Sequence, residues 1–430
     1  MTLTFPALKS RNYRLFFAGQ GISLIGTWMT QLATVWIVFD LTHSPFMLGM
    51  AGFMSQIPSF ILAPFGGMLV DQWDRRRVLV ITQILAMIQS LTLAVLALTG
   101  TLHVWTILCL ALFQGVVNAV DIPARQTFVK EMIERPEDMP SAIALNSSMF
   151  NGSRLIGPAL AGMVIGKFGA GYCFLIDGLS YIAVIFGLLA MNLQPKPHVV
   201  QTMHPLRRIQ EGFNYAFRFG PIRSILLLIG LLGLMGSSYT TLVPLYVTDI
   251  FHGGAQTLGY LMGASGFGAL VGSFYMGTRK SVLGLGKVIA YAPILSGLAL
   301  IAFALSRQLW LSIPIITLIG LGFVLQAASS NTILQTIVDD DKRGRVMSIY
   351  AMAFIGMFPL GSLLAGCLAG WIGATNTLIF AGSVCIIGGL LFDRGLPALR
   401  KLVRPIYIRE GILPTTDDPT IQPFPQNGKD

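Results

Sequence analysis

Three charged side chains lie inside long apolar stretches of the sequence and are the first candidates for chemistry. They are Arg154, Asp177 and Asp121. An ionisable group in hydrocarbon is costly unless it is paired, so each one predicts a partner or a function. Asp177 is the best placed acid for Arg154, and Asp121 is the next, although Arg125 is a local partner one helical turn from Asp121. Two interpretations stay open: a permanent brace between adjacent helices, and a carboxylate that takes up and releases a proton.

A second concentration of charge lies in "GGMLVDQWDRRRVLV", between two apolar runs. Five charges fall within the seven residues from Asp71 to Arg77. Basic residues that flank apolar spans stay on the cytoplasmic side of a membrane. On the simplest interpretation, this segment is therefore a topological anchor.

The elements that position these side chains follow from composition. Hydrophobic residues make up 54% of the 430 residues and charged residues only 11%, against roughly a quarter charged in soluble domains. Apolar stretches of about 20 residues recur along the chain, and each is long enough to cross a membrane as a helix. We therefore predict an all-α membrane protein with twelve transmembrane helices. The four cysteines lie in apolar runs without metal-ligand spacing, so we predict neither a metal nor a cofactor.

The basic residues predict the orientation. Of the 29 Lys and Arg residues, only Lys167 and Arg307 fall in odd-numbered loops, and only Arg154 falls in a span. The positive-inside rule assigns the other loops and both termini to the cytoplasm. We expect a multi-pass protein of the cell inner (cytoplasmic) membrane. The net charge of +10 is scattered over short loops, which argues against a nucleic-acid partner.

The longest internal polar segment divides the chain into two halves. We predict an N-terminal six-helix half at 1–193, a cytoplasmic linker at 194–222, a C-terminal six-helix half at 223–395 and a cytoplasmic tail at 396–430. The linker alternates basic and aromatic residues in "PLRRIQEGFNYAFRFGPIR", which suits an amphipathic helix on the membrane surface. The end of the tail has the composition of a disordered segment.

Glycine spacing repeats between the two halves. "GPALAGMVIGKFG" places glycines at 157, 162, 166 and 169, and "GSLLAGCLAGWIG" repeats this spacing at an offset of 204. "LGM" at 48–50 is echoed by "LGY" at 258–260. A parallel six-plus-six duplication is an architecture of secondary transporters, which bind substrate between the halves. Both copies contain GxxxG, a motif that supports close packing of membrane helices.

With these features, the sequence resembles the major facilitator superfamily over nearly all of residues 10–395. The family's loop motif, roughly G-x-L-x-D-R-x-G-R-R, is matched by Gly67, Leu69, Asp71, Gln72, Asp74, Arg75 and Arg76. Gln72 and Asp74 depart from its commonest form. "DIPARQTFV" and "GSRLIGPALAG" look like the branch that includes the enterobactin exporter and macrolide-efflux-like proteins. The resemblance implies the major facilitator fold, with two six-helix halves that transport a small molecule.

The resemblance also implies a cytoplasmic latch. It assigns that role to Gly67, Asp71, Arg75 and Arg76. The counterpart in the second half, "MGTRKSVLGLGK", has Ser281 where the acid would fall. We therefore expect an asymmetric latch in which the first copy matters more.

Coupling to protons is implied by a second motif. Gly157 and Pro158 resemble the fifth-span motif associated with antiporters of the superfamily. Exporters of the superfamily often carry an arginine three residues before a Gln-Gly, whereas this chain has Ala111 there. This departure shifts attention to Arg154, Asp177 and Asp121 as the coupling candidates.

Polar and aromatic residues of spans 1, 4, 7 and 10 are the candidates for a substrate cavity. They are Gln20, Trp28, Gln31, Trp36, Asn118, Tyr239, Gln326 and Asn331. A wide and weakly polar cavity suits amphipathic organic molecules. Each of these side chains is equally able to make a contact between helices.

The sequence therefore predicts a monomeric exporter, not an enzyme, that moves a small drug-like or siderophore-like compound in exchange for protons. No G-x-x-x-x-G-K-[ST] loop for an ATP-driven pump occurs. An uptake or lipid-related transporter of the same fold is the alternative. A multispanning enzyme or a receptor is less favoured.

Overall fold

The computed structural model describes residues 5–192, 205–279 and 281–414. These residues form helices and turns, with no strand among them. The α-helices are α1 (Arg11–Thr42), α2 (Pro45–Gln72), α3 (Arg75–Leu98), α4 (Val104–Met132), α5 (Met139–Phe168), α6 (Ala170–Leu189), α7 (Pro205–Arg218), α8 (Gly220–Gly236), α9 (Ser238–Leu245), α10 (Ala255–Thr278), α11 (Leu285–Leu305), α12 (Leu309–Ile337), α13 (Asp340–Ile355), α14 (Met357–Ile372) and α15 (Ala374–Arg409).

In the described part of the chain, these helices combine into twelve long helical segments. Helices α8 and α9 continue into a π-helical turn at Tyr246–Ile250 as one segment, and α13 continues into α14 as another. Ten of the twelve are long and apolar enough to cross a membrane. Helices α5 and α10 are less apolar, because α5 carries Arg154 with several Asn and Ser residues and α10 is rich in glycine. The predicted all-α membrane fold is confirmed.

Sharp turns at one end of the bundle depend on glycine. Gly169 joins α5 to α6 with φ 94°, and Gly373 joins α14 to α15 with φ 84°. Side chains with a Cβ rarely adopt such positive φ values, whereas glycine does so readily. The two turns occupy equivalent positions of the sequence repeat. We call this end of the bundle the far face, and the end that carries Arg11 and Arg409 the terminal face.

Helices α1 to α6 form the first half and α8 to α15 form the second. Near the terminal face each half has a separate apolar core, one around Tyr13 and Phe128 and the other around Ile222 and Leu334. Towards the far face, a single core contains buried residues from both halves. The halves are therefore joined at the far face and distinct at the terminal face.

Two glycine pairs bring the halves together, and the sequence repeat marks both pairs. In the α5–α10 pair, a Cβ added to Gly162 would lie 2.8 Å from the carbonyl oxygen of Ala255, and one added to Gly259 would lie 3.0 Å from the Cα of Gly162. In the α2–α14 pair, a Cβ added to Gly49 would lie 3.0 Å from the Cα of Gly366. These backbones touch because no side chain separates them.

At the terminal face of the second half, Asp339 is contacted by residues of two helices, α7 and α15. Tyr215 of α7 donates a hydrogen bond to Asp339 Oδ2 at 3.1 Å, and Arg409 Nη2 lies 3.3 Å from Asp339 Oδ1. Helix α15 reaches Arg409 as one element, so much of the predicted tail is helical. Residues 194–204 of the predicted linker and residues 415–430 of the predicted tail lie outside the described residues.

Candidate functional site

A cleft opens between the halves where α5 and α10 diverge. A Cβ added to Gly266 of α10 would lie 2.6 Å from the Arg154 carbonyl oxygen, so the helices still touch there. Towards the terminal face, a Cβ at Gly152, two residues before Arg154, would have no atom within 4 Å, and neither would one at Gly277 near the end of α10. The cleft is therefore closed at the level of Arg154, and there is open space beside both helices towards the terminal face.

Arg154 lies at the closed end of this cleft and contacts both halves. Its guanidinium carbon is 5.8 Å from the ring centroid of Trp28 in α1, within the range of a cation–π contact. Its Nη2 donates to the Tyr239 hydroxyl of α9 at 3.5 Å. The Tyr239 hydroxyl is also 2.7 Å from Ser265 Oγ of α10. The arginine therefore meets an aromatic ring of the first half and a hydroxyl group of the second.

The sequence-based pairing of Arg154 with Asp177 is wrong. Asp177 is 2% exposed, and Ser90 Oγ donates to its Oδ2 at 3.0 Å. It packs against Gly26 of α1, whereas Arg154 packs against Trp28. Residues two apart point roughly 200° apart around a helix. Helix α1 therefore separates the two charges.

Asp177 itself is a buried carboxylate without a cation among the described residues. Its Oδ1 accepts no close hydrogen bond, although the hydroxyls of Thr27 and Thr30 lie beside the carboxylate. Such unsatisfied buried polar atoms are uncommon and call for an explanation. The arrangement leaves one carboxylate oxygen available for a proton.

Asp121, the third coupling candidate, is fully engaged inside the first half. Thr82 Oγ1 and Gln83 Nε2 each donate to its Oδ1 at 2.8 Å, and Arg125 forms an ion pair with its Oδ2. These contacts tie α3 to α4. The local pairing with Arg125, which the sequence left open, is the one that the structure adopts.

The charged loop motif also makes its described contacts within the first half. Arg75 of α3 forms an ion pair with Glu131 of α4, and Arg76 Nη2 donates to the Leu189 carbonyl at the end of α6, at 2.5 Å. Asp74 caps α3 by accepting from the Arg77 backbone N–H at 2.8 Å. The side chain of Asp71 and the packing at Gly67 lie outside the described part of the chain.

The antiporter-like motif lies at the contact between the halves. A Cβ on Gly157 would lie 2.5 Å from the Cβ of Trp28, so glycine permits α1 to approach α5. The carbonyl of Pro158 faces Gly259 of α10, at 2.6 Å from an added Cβ. The motif therefore sits one turn from Arg154, next to the far-face contact.

The predicted cavity residues divide into three groups. Trp28 and Tyr239 meet at Arg154. Gln20 and Gln326 are buried, Trp36 packs against the core, and Gln31 is exposed. Asn118 accepts from Gln114 at 3.1 Å and Asn331 accepts from Gln335 at 2.5 Å, each within one helix.

Sequence reasoning missed three residues around Arg154. Phe150 packs edge-on against Trp28 at 5.7 Å, Phe323 lies 6.4 Å from the Tyr239 ring, and Ser265 bonds the Tyr239 hydroxyl. The sequence offered one signal for these contacts: Phe150 precedes Arg154 by one helical turn, so the two lie on the same face of α5.

Comparison with known proteins adds a family to this geometry. The sequence profile of the family described as transmembrane secretion effector matches residues 2–402. The staphyloferrin A transporter of Staphylococcus aureus is 28% identical over 378 residues, which cover 87% of this chain and 94% of that protein. The enterobactin exporter EntS of Citrobacter koseri is 24% identical, with 93% and 95% covered. Macrolide efflux protein A of Streptococcus pyogenes is 22% identical, with 88% and 95% covered.

Solved transporter structures share the fold. The nucleoside transporter NupG matches with a TM-score of 0.68 at 13% identity, covering 90% of this chain and 99% of that one. A POT family transporter in complex with 5-aminolevulinic acid matches with a TM-score of 0.72 at 13% identity, covering 91% and 97%. At such identities the likeness concerns the fold alone. With the family profile spanning most of its length, the chain belongs to the transmembrane secretion effector family and is a multi-pass transporter of the major facilitator superfamily.

Proposed function

We propose that this protein exports a small organic compound, of the siderophore or drug type named for its relatives, in exchange for protons. It acts as a monomer in the cell inner membrane, and its terminal face lies in the cytoplasm. The single observation that carries the proposal is the cleft at Arg154, which is sealed by glycine pairs towards the far face and open towards the terminal face.

This geometry supports alternating access. Separate cores near the terminal face allow each half to move as a unit, and the shared far-face core is the contact that must part in the opposite state. A compound enters the cleft from the cytoplasm, and the halves then rock about the site. The loop motif stabilises the first half during this motion. In our proposal, the latch role belongs to Gly67, Asp71, Arg75 and Arg76.

Asp177 is the group we propose to carry the proton. A carboxylate buried without a cation is costly in the membrane interior when it is ionised, and binding a proton removes that cost. Its unbonded Oδ1 supports this role. Asp121 is less suited, because Arg125, Thr82 and Gln83 already neutralise and bond it. Arg154 contacts the substrate cleft and has no part in binding the proton.

The test is transport by everted vesicles with an acidic interior. Staphyloferrin A, enterobactin and a macrolide are offered outside, and accumulation is measured with proton efflux. We expect gradient-driven accumulation of at least one compound by the wild type. Asp177→Asn should lose accumulation against a gradient and keep downhill exchange.

Asp121→Asn is the matched control, since both acids are 2% exposed. It should retain proton-driven accumulation. Unchanged coupling in Asp177→Asn would exclude that residue as the proton carrier. Accumulation that requires the reversed gradient would instead indicate an uptake transporter.

A further inference from the structure

We infer that the cleft selects organic anions that carry an aromatic ring, with Arg154 binding the anionic group. The inference rests on the proposed function only in treating the cleft as the substrate path. It is carried by three features of the described residues: the incomplete bonding of Arg154, the position of the buried acids and the aromatic rings on both walls.

Arg154 retains donors for a ligand. A guanidinium has five N–H donors, and the described contacts of Arg154 comprise one long hydrogen bond to Tyr239 and the ring of Trp28. The Tyr239 hydroxyl is shared with Ser265 at the shorter distance of 2.7 Å. Arg154 is partly exposed, so its remaining donors reach the open side of the cleft. A planar anion can accept two of them in parallel.

No described acid competes for this cation or offers a site for a cationic compound. The carboxylates within the interior of the described spans are Asp121 and Asp177, and both are 2% exposed. One is paired with Arg125, and the other lies beyond α1. The field inside the cleft is therefore that of an arginine in a weakly screened environment, which attracts anions and repels cations.

Aromatic rings flank the arginine on both sides. In the first half, Trp28 and Phe150 pack edge to face with their centroids 5.7 Å apart, and Phe150 is 48% exposed. In the second half, Tyr239 packs against Phe323. Aromatic pairs prefer such offset or edge-on geometry with a further ring. A ligand with a ring beside a carboxylate satisfies both the cation and these walls.

The test is equilibrium binding to the full chain in nanodiscs, with no gradient imposed. The probes are naphthoate, its uncharged amide naphthamide and the cation naphthylmethylammonium, which share a ring and differ in charge. Binding to empty nanodiscs is subtracted. We expect naphthoate to bind roughly ten- to a hundredfold more tightly than naphthamide, the range of a hydrogen bond to a charged group. The ammonium compound should bind weakest.

Arg154→Gln should reduce the naphthoate-to-naphthamide ratio to near one, while Arg154→Lys should keep part of it. Lys167→Gln is the matched control, since it removes the same charge from an exposed position of the same helix. Variants are compared only when they elute as the wild type does on size exclusion. The wild-type probe series is informative even if Arg154→Gln does not fold.

Three outcomes would overturn the inference: equal binding of the cation and the anion by the wild type, an unchanged ratio in Arg154→Gln, or no naphthoate binding at about 1 mM. The proposed function can be refuted independently of this inference. Anion-selective binding without any proton-driven flux would refute proton-coupled export and leave this site in place.

Discussion

Replacing Gly259 with alanine perturbs the contact between α5 and α10 where the two backbones touch. The added Cβ would lie 2.6 Å from the carbonyl oxygen of Pro158, where an ordinary contact begins at 3.4 Å. The helices must therefore separate by roughly 0.8 Å, or shift by a similar amount. Overpacking of this kind costs about 1–3 kcal/mol.

This cost falls on one state of the transporter. In the state seen here the far face is closed, so the added methyl group destabilises it. The opposite state, in which we propose that these helices part, is not affected. Since about 1.4 kcal/mol corresponds to a tenfold change, the population should shift roughly five- to 150-fold towards the state that is open at the far face.

Spin-label distances across the cleft measure this shift. Ser148 of α5 and Ser348 of α13 are exposed on opposite halves near the terminal face, and each can be replaced with a labelled cysteine after the four native cysteines are removed. Gly259→Ala should enrich shorter distances, because the terminal face closes as the far face opens.

Gly370→Ala is the control for this experiment. It belongs to the second copy of the repeated GxxxG motif, but a Cβ there would have no atom within 4 Å. Both substitutions gain a similar helix propensity, about 1 kcal/mol, so the comparison isolates the contact. The reasoning is refuted if Gly259→Ala and Gly370→Ala give the same distance distribution as the parent.

Two further predictions concern stability and pH. Gly169→Ala and Gly373→Ala should each lower thermal stability by about 1–2 kcal/mol, because φ is 94° and 84° at these turns; in a thermal unfolding assay, stability equal to that of Gly370→Ala would contradict this. Burial, followed by the nearby Asp339, raises the pKa of Tyr215 above its usual 10.0. The neutral phenol that donates to Asp339 is therefore fully present below pH 10 and is lost as the pH rises through the raised value. The absorbance titration of the wild type minus that of Tyr215→Phe should show one phenolate that forms above pH 10, and a difference curve centred at or below pH 10 would contradict this.

Asp121 and Asp177 show which contacts of the site could be predicted from the sequence and which could not. The partner of Asp121 lies one turn away on the same helix, so the sequence offered Arg125 directly. The partners of Asp177 are on other helices, and the direction in which each helix faces is set by packing. Proximity in the chain favoured Arg154 for Asp177, but Gly26 and Trp28 point to opposite sides of α1 and keep the two apart.

The sequence by itself determined the membrane class, the all-helical fold and the duplication of the halves. These features depend on local properties, namely the length of apolar runs and the spacing of glycines, which can be read without knowing which helices pack together. Only the tertiary structure decided that Gly162 meets Gly259 while Gly49 meets Gly366, and that Arg154 meets Trp28 and Tyr239. Which face of a helix meets which neighbour depends on how whole helices pack together, and no local spacing encodes that arrangement.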